Sequence, residues 1–159
     1  MPPSTAPVTV RPAHPDDADT IHRLSLRAIR GSAAGHYTPA ELEAWIRTRS
    51  AARHRTLIEH TRTLVAECDG APAGFVSVAT EPWDRLERGE VDQLFVDPAF
   101  GGRGVARALL AAVDDVATVT HASWRAAPVF ERFGYVREET ETVPLDGQTL
   151  TRVRMRRVR

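Results

Sequence analysis

Lysine is absent from this 159-residue chain; its 21 basic residues are all arginine and balance 21 acidic ones. Without lysine there is no Schiff-base former, and a phosphate loop of the Walker type, which needs a lysine after its last glycine, is excluded. The charge balance lacks the positive excess of a nucleic-acid-binding surface, so no nucleic-acid partner is expected. Cysteine is nearly as scarce. Cys68 stands alone, which rules out an internal disulfide and a cysteine-rich zinc site. Its apolar setting in residues 63–68 marks it as a core thiol. His36, His54, His60 and His121 lack metal-ligand spacing, so no metal is expected. No apolar run approaches the ~20 residues that cross a bilayer, and the N-terminus does not follow a basic region with an apolar stretch. These absences predict a cytoplasmic protein with no membrane partner.

What is present suits one folded unit. The hydrophobic fraction is 42%, inside the globular range, and the length fits a single core. Residues 1–7 read as a flexible leader and residues 8–159 as one domain. Residues 8–11 alternate like a strand. Pro15-Asp16-Asp17 opens a helix with acidic residues at its positive end, and Ile21, Leu24, Ala28 and Ile29 give it an apolar face. Thr38-Pro39-Ala40-Glu41 opens a second helix with a threonine cap, a proline at the first helical position and a glutamate able to close a capping box. The pattern in residues 50–60 is weak, and no element is assigned there. Residues 63–68 and 73–79 flank Asp69-Gly70 as a hairpin. A polar connection, 81–89, leads to a strand at 90–97 that Pro98 stops. Helical spacing then places Val105, Leu109, Val113 and Val116 on one stripe. A strand at 116–122, a helix at 125–133 and a hairpin about Asp146-Gly147 complete the order. That order predicts an α/β fold: a mixed sheet of about seven strands flanked by about four helices on both faces.

The most informative stretch runs from Val91 to Leu110 and contains Leu94-Phe95-Val96-Asp97-Pro98 and Gly101-Gly102-Arg103-Gly104-Val105-Ala106. It is a strand, a proline stop, a glycine turn and an amphipathic helix in succession. Glycines allow positive φ and close approach of a ligand. The free amides of a helix start converge where an anion is favoured. The third glycine of a dinucleotide fingerprint is missing, with Arg107 in its place.

These residues resemble the GNAT superfamily of N-acetyltransferases, whose loop reads Q/R-x-x-G-x-G/A after L-x-V-x-P. Gly101 departs from it where the family usually has Gln or Arg. Ser123-Trp124-Arg125-Ala126-Ala127-Pro128-Val129-Phe130-Glu131-Arg132-Phe133-Gly134-Tyr135 is similar to the family's N-x-x-A-x-x-F-Y-E-x-x-G-F. The resemblance spans nearly the whole chain and implies a mostly antiparallel central sheet. It also implies acetyl transfer from acetyl-coenzyme A, as co-substrate, to a primary amine of a small molecule or peptide by direct attack in a ternary complex. On the resemblance, Leu94, Phe95 and Val96 hold the pantetheine arm, residues Gly101, Gly102, Arg103, Gly104, Val105 and Ala106 hold the pyrophosphate, and Ser123 and Phe130 complete the cofactor contacts.

An alkyl amine of pKa ~10.4 is about one part in a thousand neutral at pH 7, so freeing its lone pair costs roughly 4–5 kcal/mol. A base or water relay is therefore expected. Glu90 starts the strand where relatives carry a glutamate base, and Asp92, two residues on, is expected on the same face; either could instead be a solvated strand-end charge. Phe130 aligns with the family's acid, a tyrosine, and has no proton to donate. Another hydroxyl or water would have to serve, and Ser123 is a candidate, though a helix N-cap role suits it equally. Tyr37, Trp83 and Trp124 are candidates for the acceptor pocket. The departures at Phe130 and Gly101 keep open a non-catalytic acyl-coenzyme A binding or sensing module. Edge-strand pairing is compatible with a homodimer.

Overall fold

In the computed structural model, which describes residues 7–159, two tight turns organise the sheet. Asp69 and Gly70 have φ of 54° and 79°, and Asp146 and Gly147 have φ of 46° and 78°. That left-handed pair follows the natural twist of the strands it joins. The first turn connects β2 (Arg62–Cys68) to β3 (Ala71–Val78), the second β6 (Tyr135–Leu145) to β7 (Gln148–Arg157). With β1 (Val8–Pro12), β4 (Glu90–Val96) and β5 (Val119–Ala122) they form a seven-stranded sheet in the order β1-β2-β3-β4-β5-β7-β6. Every neighbouring pair is antiparallel except β4 and β5. The leader, apart from Pro7, lies outside the described residues.

Alternation along β2 and β3 sends side chains to two cores. On one face Ala66 and Val76 meet Val105, Leu109 and Val113 of α4 (Val105–Val113) and Ala127 and Phe130 of α5 (Ala127–Arg132), with Cys68 buried among them. On the other, Val65 and Phe75 pack against Ile21 and Leu24 of α1 (Ala18–Ser32). α2 (Pro39–Arg47) starts with the capping box expected of Thr38 and Glu41.

A fifth helix, α3 (Ala51–His60), occupies the stretch where no element was assigned. Its start is sound, since Ser50 Oγ accepts a hydrogen bond from the Arg53 amide at 3.1 Å. Its apolar stripe is thin, with only His54 and Leu57 buried, and packing on α1 supplies what periodicity does not. β5 begins at Val119 rather than residue 116, because the amides of Val116 and Ala117 turn back to Val113 O and finish α4. No helix among the described residues is long and apolar enough to cross a membrane.

Candidate functional site

The break in the sheet makes the site. β4 and β5 pair only at Glu90↔Val119 and Val91↔Thr120. β4 also carries a bulge: Ser77 faces Gln93 and Val78 faces Val91, leaving Asp92 as the extra residue. A bulge bends and twists its strand, and past it the two strands part. The Asp97 amide donates to Ala73 O at 2.8 Å. By strand alternation Phe95 also points its main-chain groups at β3, whereas those of Leu94 and Val96 point into the gap. A narrow slot of about 90 Å³ opens there, walled by Leu94, Phe95, Val96, Ala106, Ser123 and Val129.

One end of the slot leads to the glycine turn. Gly102 and Gly104 have φ of 76° and 77°, and a Cβ built on either meets nothing within 4 Å. Their open side is a cavity of about 680 Å³ that also takes in Val105, Ala106 and Arg107. The first main-chain bond of α4 is Ala108 N–H to Gly104 O at 3.0 Å; the amides of residues 102–107 have no partner among the described residues. They form a cradle of donors at the positive end of a helix, suited to a diphosphate. Gly101 differs. Its φ of −62° and ψ of 148° suit any residue, and a Cβ there would touch only Pro98 O at 3.4 Å. The glutamine or arginine usual at this place would therefore fit. Arg107, Arg125 and Arg132 also line the cavity and make no ion pair among the described residues. The balanced total charge concealed this local surplus. Arg103 instead lies over Phe100, 5.8 Å from its centroid, with Asp69 at 3.7 Å.

The other end of the slot, at Trp45, Phe95 and Ser123, opens into a cavity of about 380 Å³. Asp92 lines it. Protein crowding the cavity walls raises the pKa of the Asp92 carboxyl by desolvation, with Arg49 opposing and Gln93 opposing more weakly. The side chain still reaches water through the mouth, which screens part of that shift. Glu90 does not line this cavity. It is buried, accepts a hydrogen bond from the Glu87 amide at 3.2 Å, and has its pKa raised chiefly by burial. The bulge at Asp92 thus breaks the simple alternation that would have sent both carboxylates to one place.

Three guanidinium groups stand on the same walls. Arg53 pairs with Asp84 at 3.0 Å and Arg152 with Glu141 at 3.1 Å. Arg49 lies 4.9 Å over the Phe95 ring and donates to Ser25 Oγ at 3.1 Å and to Gln93 Oε1. Desolvation pushes its pKa down to about 10, with Asp92 opposing. His54, buried beneath it, is pushed down to about 3 by burial and by the positive charge of Arg49, so it stays neutral. None of Arg49, His54, Gln93 or Arg152 belongs to a motif. In the sequence His54 stands out only as a histidine without metal-ligand spacing, and Arg49 precedes the helix where no element was assigned.

The remaining sequence candidates separate. Ser123 lies where slot and cavity meet, and its Oγ accepts from the Ala126 amide at 3.2 Å, leaving its own proton free to donate. Tyr37 lines the cavity but its hydroxyl is used twice, donating to Thr151 O at 3.1 Å and accepting from the Trp124 amide at 3.0 Å. Burial raises its pKa. Trp124 lines none of the three spaces and packs into the cores instead. Trp83 is also outside them, stacked on His60 at 4.7 Å with Arg53 above it. Phe130 is buried, edge-on to Tyr135 at 5.0 Å, and lines none of the three spaces, so its packing is with the core. His121 lines the same cavity as Asp92 and does come within 4.8 Å of Glu87 and Glu90, a grouping that its sequence spacing hides. Arg154 contacts two members of this group, 3.1 Å from Glu87 and 3.3 Å from His121 Nε2.

Comparison with known proteins adds the following. A family model for the acetyltransferase (GNAT) domain matches residues 33–157. The uncharacterized N-acetyltransferase YafP of Escherichia coli K12 is 30% identical over 151 residues, covering 94% of this chain and 95% of that protein. A GCN5-related N-acetyltransferase crystal structure from Rhodopseudomonas palustris has a TM-score of 0.84 at 28% identity, covering 99% of this chain and 98% of that one. The PaiA N-acetyltransferase of Thermoplasma acidophilum, solved in complex with coenzyme A, shares the fold with a TM-score of 0.73 at 16% identity, covering 95% of this chain and 98% of that one.

Proposed function

The chain belongs to the GNAT acetyltransferase family, and from that premise we propose that it transfers an acetyl group from acetyl-coenzyme A to a primary amine of a small molecule or peptide, with both substrates bound at once. The observation that carries this reading is the continuity of the trough. The cradle and the slot share Val96, Ala106, Arg125 and Val129, and the slot and the acceptor cavity share Trp45, Phe95 and Ser123. When bound, acetyl-coenzyme A supplies the acyl group as a thioester. The amides of Gly102, Gly104, Val105 and Ala106 would hold its pyrophosphate, at ~1.5–3 kcal/mol for each charge-assisted bond. Arg107, Arg125 and Arg132 are free to take further phosphate charge, and the gap-facing main chain of Leu94 and Val96 would guide the pantetheine arm to Ser123.

Asp92 is the residue we assign to the acceptor proton. It is the carboxylate on the cavity wall, and desolvation raises its pKa toward that of a better base. The acceptor nitrogen bonds to the acyl carbon as the carbon–sulfur bond breaks, Asp92 receives the nitrogen's proton, and the sulfur leaves as a thiolate that can accept a hydrogen bond from the Ser123 hydroxyl and takes its proton from water. A thiol of pKa ~8.5 leaves unprotonated at a cost of only about 2 kcal/mol at pH 7, so loss of the tyrosine at Phe130 is tolerable. Glu90, outside the cavity, has a supporting role at most.

Calorimetry with acetyl-coenzyme A, followed by thiol release over a panel of amines, tests the proposal. Saturable binding is expected, with release that Asp92→Asn slows by about 10²- to 10⁴-fold. Binding without release on any amine would replace it with the acyl-coenzyme A sensing reading, and no heat at all would remove both.

A further inference from the structure

Arg49 is the anomaly of the acceptor cavity. Its neighbours Arg53 and Arg152 are each neutralised by a carboxylate behind the wall, Asp84 and Glu141. Arg49 hydrogen-bonds only to groups without charge, Ser25 Oγ and Gln93 Oε1, and nears neutral His54 at 3.4 Å. Its Nη1 has no hydrogen-bond partner, and it makes no ion pair among the described residues. The guanidinium is held 4.9 Å over the Phe95 ring with Nε and Nη2 already engaged, so Nη1 is a donor fixed in place before any ligand arrives, which suits a charge-assisted bond to a carboxylate oxygen.

We infer that the acceptor is an amine that carries its own carboxylate, an α-amino acid with an apolar side chain, whose carboxylate is received by Arg49 while Asp92 receives the ammonium group. This deepens the acetyl-transfer reading above and rests on it. The two charges of such a zwitterion are separated by a single carbon, and Arg49 and Asp92 line one cavity and feel each other's charge. An apolar side chain has Trp45, Leu57, Val143, Leu145 and Leu150 to lie against. A polyamine, with no carboxylate of its own, would leave Arg49 unpaired in the filled cavity.

The test compares phenylalanine, phenylalaninamide and phenethylamine as acceptors at saturating acetyl-coenzyme A, reading thiol release. The free acid should exceed the other two in kcat/KM by roughly 10- to 100-fold, the worth of one charge-assisted pair. Arg49→Met, which keeps a chain over Phe95 without the charge, should bring the acid-to-amide ratio close to one, mainly through KM. Equal or better use of phenethylamine by the native protein overturns this inference alone and needs no variant. A ratio unchanged by Arg49→Met does the same. Thiol release with no acceptor of any kind overturns both this inference and the reading on which it rests, while coenzyme A binding, followed separately by calorimetry, shows whether the cradle survives.

Discussion

The phosphate cradle takes its donors from the consecutive residues 102–107, whereas the acceptor cavity assembles its charged walls from the α2–α3 connection, α3, β4, β5 and β7. The cradle's donors are main chain, with Arg107, Arg125 and Arg132 around them, so the side chains of the turn itself matter little except where positive φ disfavours a Cβ. The cavity works with side chains whose charges act on one another, so one substitution or a shift in pH reaches several groups. On the proposed reading, a single chain serves a constant ligand with backbone and a specific one with side chains.

The sharpest way to break that comparison is Asp92→Asn. It should lower kcat by about 10²- to 10⁴-fold, the usual worth of a general base, while calorimetric affinity for coenzyme A stays near native. A parallel fall in affinity would mean the two ends are not separable. At the cradle, Gly104→Val forces a β-branched residue to φ of 77°, a strain of ~1–3 kcal/mol. Coenzyme A affinity should drop at least about tenfold. Gly101→Gln, at an ordinary backbone conformation, should change stability by less than about 0.5 kcal/mol.

Acid sharpens the contrast further. An unfolded histidine takes up a proton near pH 6.5, which folded His54 refuses until about 3. His54 therefore favours the folded state fully above pH 6.5 and loses that contribution as pH falls from 6.5 to 3. At ~1.36 kcal/mol per unit, denaturant unfolding at pH 5 should register about 2 kcal/mol from this residue. His54→Gln should flatten the profile, and an unchanged slope would count against the assignment. Phe130→Tyr should cost ~1–3 kcal/mol in stability for a buried hydroxyl without a partner, with no gain in rate. The smallest effect is expected from Glu90→Gln. Burial raises the folded pKa of Glu90, so it favours folding below its unfolded pKa and that contribution is lost as pH rises through the folded value. The variant should melt slightly higher than native at pH 7, and the difference should disappear in acid.

How much could be read in the chain follows the same division. Hairpin dipeptides, the Thr38 capping box and the loop from Pro98 to Ala106 act through neighbouring residues, so the sheet, four helices and the cradle were legible. Helix α3 was not, because His54 and Leu57 make too thin a stripe to stand out. The sequence offered Glu90 and Asp92 together as candidate bases, and the bulge that separates them depends on pairing with Ser77 and Val78, which no local pattern reports. Arg49 carries no motif. Its meaning comes from Phe95 and Gln93, more than forty positions away. Trp83 and Trp124 were singled out as aromatics near the site, and packing on His60 and in the cores claimed them.

Single-turnover mixing bears most directly on the central claim that one trough joins cradle to acceptor cavity. Protein loaded with one equivalent of acetyl-coenzyme A should release thiol only when an amine is added, in step with acetylated acceptor, and should never carry acetyl itself. Release before the amine arrives, an acetylated protein, or a loaded protein inert to every amine would contradict it.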